Sequence, residues 1–184
     1  LKIKKQTALV FWVGAIILVS IACSQTWFTL AMTPNGETVE LKSFDGFTTY
    51  GFISPFIVLS GAAAFTFLFL PGVARLVIGS IASLFTAGLL ALVTVGVANS
   101  DISALSSEIE AATGIATAHG LNQIETSVSS SASLAIGAIS LLLIIQVSVT
   151  LASKSWPARV ARTELPRNVT SDENDTISIW DSQR

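Results

Sequence analysis

The sequence predicts an α-helical integral membrane protein: four transmembrane helices, both termini on the inner side, a small outer β-hairpin and a short outer helical segment. Three observations carry this reading. The 184 residues are 51% hydrophobic and only 12% charged, against about 25% charged in an ordinary soluble domain. The charges are segregated, with none in Ala8–Ser24, Phe52–Leu70, Leu76–Asn99 or Ser131–Ala152. Each run has roughly the 17–25 residues a helix needs to cross about 30 Å of hydrocarbon. Finally, nine of the ten Lys and Arg residues fall on one side of a four-span arrangement, which the positive-inside rule makes cytoplasmic. A membrane barrel does not fit, because its segments of about ten residues alternate polar and apolar.

The chain then divides as a short inner N-terminus (1–7), span 1 (8–24), an outer segment (25–51), span 2 (52–70), an inner turn (71–75), span 3 (76–99), a second outer segment (100–130), span 4 (131–152) and an inner, largely disordered tail (153–184). Trp27 follows span 1 and suits an interfacial anchor. Cys23 just before it raises a second reading, a lipoprotein signal. Ser20 stands where such a signal usually has Leu, Val or Ile, so the end of a span is favoured. In the first outer segment TWFTLAMT and ETVELKSF flank Pro34-Asn35-Gly36. Asn35 and Gly36 tolerate the positive φ of a tight turn, which predicts strands near Trp27–Met32 and Glu37–Phe44.

Gly51 and Pro55 mark the start of span 2, where the missing proline N–H costs least. Leu70-Pro71-Gly72 permits only a tight turn, and places Arg75 at the inner rim. Span 3 carries Gly79, Ser83, Ala87 and Ala91 at intervals of four, a small-residue ridge against which another helix can pack. The second outer segment shows helical spacing in Ile102, Leu105, Ile109 and Ala112, then Leu121, Ile124 and Val128. Its expected cap is Asn99, Ser100 or Asp101, and its expected stop is Gly114. After Trp156-Pro157 the apolar periodicity ends, and Trp180 stands in an isolated ISIW run.

A search for chemistry returns little. His119 is the single histidine and Cys23 the single cysteine, so a zinc or haem site built from His and Cys is not expected. No glycine-rich phosphate loop precedes a helix. No ionisable residue stands inside a span, where such residues mark ion paths and proton relays. Gln146 is the most polar interior residue and suits an interhelical hydrogen bond. No catalytic, metal or cofactor site is expected, and no nucleic acid.

The order of these features resembles the actinobacterial tryptophan-associated transmembrane proteins. Gly51 and Pro55 precede LSGAAA (Leu59–Ala64); Trp156-Pro157 precedes Arg162-Thr163-Glu164; Trp180-Asp181 lies near the C-terminus. The family usually has Gly-x-Arg-Tyr-Glu after Trp-Pro, where this chain has Val160-Ala-Arg-Thr-Glu. The resemblance implies a multi-pass cell-membrane protein whose genes often lie among tryptophan-biosynthesis genes, and it implies no catalytic residue. The expected role is non-enzymatic, through the bilayer and a protein partner. The alternative is a small permease, or permease accessory, for tryptophan, indole or a related metabolite.

Overall fold

The structure is a computed structural model and describes residues 5–32, 39–100, 109–110 and 124–156. Its elements are α1 (Lys5–Cys23), β1 (Thr26–Met32), β2 (Val39–Asp45), a single helical turn α2 (Gly46–Thr49), α3 (Ile53–Phe69), α4 (Gly72–Ala98), β3 (Ile124–Val128) and α5 (Ser130–Ala152). A 3-10 turn, Ser153–Ser155, follows α5. The helices α1, α4 and α5 are long and apolar enough to cross a membrane, while α3 has 17 residues, or about 25 Å at 1.5 Å per residue. Apolar side chains cover the outside of the bundle: Val58 is 70% exposed and Leu134 71%. In water such a surface would aggregate; against lipid it is the expected one.

Helix α5 lies at the centre, packed along both α1 and α4, and α3 closes the bundle against α1 and less extensively against α4. The interior contains Ala8, Trp12, Ala15 and Val19 of α1, Ala64 and Phe67 of α3, Leu89 and Val93 of α4, and Ala135, Ile139 and Leu142 of α5. Alanine on α1 and α5 at these positions lets two backbones approach closely, which is how helices gain packing where lipid provides no hydrophobic drive.

The expected inner turn of 71–75 is shorter in the structure. Pro71 is the N-cap of α4, and the Arg75 amide already bonds the Pro71 carbonyl at 3.0 Å. Proline presents a fixed φ near −65° and needs no donor, so the helix starts straight after it. Arg75 therefore belongs to the first helical turn of α4.

At the opposite end of the bundle the strands form a three-stranded antiparallel sheet of order β2-β1-β3. Thr29 pairs with Ser43 on one side and with Ser127 on the other. The expected hairpin strands pair as β1 and β2, β3 extends them to a larger sheet, and this corrects the helical reading of Ile124 and Val128. IETSV has a strand's alternation as well as a helix's spacing. An unpaired edge of β1 beside it decides the matter, because backbone N–H and C=O groups must find partners. The Asn35-Gly36 turn, the first stretch of the second outer segment apart from Ile109 and Glu110, His119, and the tail from Pro157 to Trp180 and beyond lie outside the described residues.

The sheet is fastened to the bundle at one joint. Asp45 caps α2 by accepting the Thr48 amide at 2.7 Å. Gly46 sits under the Trp27 indole, where a Cβ would meet two ring atoms at 2.6 Å and the Cys23 carbonyl oxygen at 2.9 Å. The Ser129 amide donates to the Trp27 carbonyl at 2.8 Å, and the Ser131 hydroxyl donates to the Thr26 carbonyl. Ser129 also caps α5. A separate small cluster of Leu30, Phe44 and Ile109 fills one face of the sheet.

Candidate functional site

Four neutral polar side chains, one from each apolar helix, meet inside the bundle. The Thr86 hydroxyl on α4 donates to Gln146 Oε1 on α5 at 2.6 Å. The other end of that amide, Nε2, donates to the Ser60 hydroxyl on α3 at 3.2 Å. Trp12 Nε1 on α1 reaches the same oxygen at 3.5 Å. Thr86 and Gln146 are fully buried, and Trp12 and Ser60 are 1% and 5% exposed. The Thr86 proton also has the Ala82 carbonyl at 2.9 Å. A primary amide, two hydroxyls and an indole do not ionise near neutral pH, so this group ties the four helices together through neutral hydrogen bonds.

A second cluster lies where α3 turns into α4. Arg75 is 1% exposed. Its Nε donates to the Leu70 carbonyl at 2.7 Å, and its guanidinium lies over the Trp156 ring, 5.6 Å from the centroid. Trp156 meets Phe67 edge-on at 6.0 Å, and Phe67 meets Trp12 edge-on at 5.4 Å. These are favourable aromatic geometries, and cation–π contact suits a guanidinium taken out of water. Arg75 Nη1 is buried and has no hydrogen-bond acceptor among the described residues.

The remaining residues singled out by sequence are scattered. Gly79 is buried at the α4–α5 contact, where a Cβ would collide with Thr150 Oγ1, would meet Thr150 Cγ2 at 2.8 Å and would reach Phe67 Cε2 at 3.0 Å. Ser83 turns its hydroxyl onto the Gly79 carbonyl at 2.8 Å. With Ala87, Ser83 lines a shallow groove of about 400 Å³ between α4 and α5. The ridge therefore divides, with Gly79 facing inward and its neighbours at the groove. Gly51 is exposed and a Cβ there meets nothing within 4 Å. Pro55 is exposed in the first turn of α3.

Trp27 differs from the interfacial anchor expected. It is fully buried, donates to the Ala22 carbonyl at 3.0 Å, and lies 5.9 Å from the Tyr50 ring. The chain turns back over it at Gly46, so the indole is enclosed by its own protein instead of by headgroups. Cys23 is fully buried beside it at the end of α1.

Between α3 and α4 an apolar groove of about 280 Å³ is lined by Phe56, Leu59, Ser60, Thr66, Ile78 and Phe85. A second of about 360 Å³ continues from Phe56 and Phe85 to Leu92. No group of three His, Cys, Asp or Glu that could hold a metal occurs among the described residues. Sequence reasoning named Gln146 without identifying Trp12, Ser60 and Thr86 as its partners, and it left Arg75 at the rim. The available signal for Arg75 was its place three residues after Pro71-Gly72, inside the first turn of a helix beginning there.

Long apolar helices with lipid-facing surfaces and a sheet at one end define a multi-pass membrane protein. The chain belongs to the tryptophan-associated transmembrane protein family, which it matches over residues 8–182. Neither a curated protein nor a solved structure matches it.

Proposed function

We propose that this is a non-enzymatic membrane protein of four spans that acts by holding a protein partner, in a role tied to tryptophan biosynthesis through its family. The observation that carries the reading is the closure of the bundle interior. Gln146 is fully buried and bonds Thr86 and Ser60 through the two ends of its amide, so it faces neighbouring helices instead of a path for a solute. The inner core around it is alanine, leucine and aromatic side chains. The polar surface lies instead at the sheet. Glu40, Leu41, Lys42 and Ser43 are successively exposed on β2, an edge strand of the sheet among the described residues, and a strand edge can template pairing with another chain.

The sheet end is the outer one in this reading, since Lys5, Arg75 and Lys154 lie at the other end and positive charge marks the inside. Purification of the tagged full chain from its native membranes tests the proposal. A second protein in near-stoichiometric amount supports it, and recovery of the chain alone counts against it. The groove between α3 and α4 favours a second reading, a permease or permease accessory for tryptophan, indole or a related metabolite. Unchanged uptake and efflux of these compounds in a deletion strain would remove that reading.

A further inference from the structure

The turn end of the bundle holds a cation without a described countercharge. Arg75 is 1% exposed and Nη1 has no hydrogen-bond acceptor among the described residues. Every described acid, Glu40, Asp45, Glu110 and Glu125, belongs to the sheet end. A buried charge is tolerated when it is paired, and an ionisable group at membrane depth is a functional candidate by default. The contact with Trp156 and the bond to Leu70 satisfy part of the guanidinium only.

The same turn offers further donors. The first turn of α4 has no side-chain cap and no acidic residue, and its first α-helical bond is that of the Arg75 amide to Pro71. The amides of Gly72, Val73 and Ala74 are therefore the unused N–H groups of a helix 27 residues long, and such a terminus favours an anion. Gly72 leaves room beside the turn, since a Cβ there meets nothing within 4 Å among the described residues, while Arg75 is reached from that side only as the headgroup displaces the cover of its guanidinium. The surroundings select the anion. Phe69 is 57% exposed and Val73 78%, so the turn sits where apolar helix surface ends, the level of lipid headgroups. A free metabolite would not need these apolar flanks.

We propose that the α3–α4 turn binds the phosphate of an anionic phospholipid headgroup, with Arg75 and the first-turn amides of α4 as donors. Basic pockets between membrane helices bind headgroups in this manner, and a guanidinium fork suits phosphate oxygens.

The test uses the purified full chain in nanodiscs of phosphatidylcholine alone or with phosphatidylglycerol, read by thermal unfolding. The wild type is expected to melt ~3 °C or more higher with phosphatidylglycerol, the size of shift a modest ligand gives a chain of this length. R75Q loses that difference, and K154Q, at an exposed position of the same end, keeps it. If R75Q does not fold, R75K replaces it: the charge stays but the fork is gone, and the difference falls by at least half. Native mass spectrometry reads the same contrast as retained phosphatidylglycerol. Equal melting of the wild type in both lipids overturns the proposal; that is the outcome if a carboxylate of this chain already holds Arg75. An unchanged difference in R75Q or R75K overturns it too. A rise produced in detergent by inorganic phosphate alone overturns the lipid assignment.

Discussion

Replacing Thr86 by Val is expected to destabilise the bundle more than replacing Gln146 by Leu, although Gln146 is the larger and more polar residue. The reason is what each change leaves behind. In Q146L the Thr86 proton returns to the Ala82 carbonyl, already 2.9 Å away, and Ser60 still has Trp12. Two interhelical bonds are lost, and at about 0.6 kcal/mol each in a membrane interior the cost is about 1.2 kcal/mol. In T86V one bond is lost, but Gln146 Oε1 stays fully buried with no donor. An orphaned buried acceptor costs about 1–3 kcal/mol, which brings the total to roughly 1.6–3.6 kcal/mol. In T86V/Q146L no acceptor is orphaned, so the double variant falls near Q146L alone. The expected coupling is therefore about the whole cost of T86V, roughly 1.6–3.6 kcal/mol below additivity. Reversible unfolding in bicelles measures all three. A T86V cost no larger than that of Q146L, or additive costs in the double variant, refutes the reasoning.

Other expectations follow from close contacts. G79A drives a Cβ into Thr150 and costs about 1–3 kcal/mol, and T150A in the same chain relieves most of it. G88A meets nothing within 4 Å and is neutral or stabilises by up to about 1 kcal/mol, as Gly→Ala in a helix interior does; the same unfolding assay separates the two. The sheet register pairs Thr29 with Ser127, so T29C/S127C in a Cys23→Ser background forms a disulfide under mild oxidation. A shifted control, T29C with a cysteine at Thr126, forms it far less, by gel mobility. Cys23 is fully buried, so a maleimide labels it only after unfolding, and G46A, which pushes Trp27 off its seat, makes it reactive in the folded chain.

The apolar spans were legible because a bilayer demands long uncharged runs, and 8–24 or 131–152 can satisfy that demand in few ways. The strand at Ile124–Val128 was not, since five residues with apolar positions four apart fit a helix and a strand alike. Only the free edge of β1, 92 or more positions upstream, settles the choice. Gln146 stood out as an amide in an apolar run, yet nothing local marks Thr86 or Ser60 among the many membrane Ser and Thr residues as its partners. Trp27 reads as an interfacial belt residue until the chain is seen to fold back at Gly46. Arg75 is the sharpest case. Proximity to a turn suggests solvent, but Pro71 starts the helix at once, and Trp156 from the end of α5 covers the guanidinium.

The central claim is that the interior is sealed and the role lies at the sheet. Site-specific photo-crosslinking in native membranes addresses it most directly, with the probe at Leu41 on β2 and, for comparison, at Val58, 70% exposed on the lipid side of α3. A discrete adduct with a second protein from Leu41, absent from Val58, is the predicted result. No protein adduct from Leu41, or the same adducts from both positions, would contradict the account.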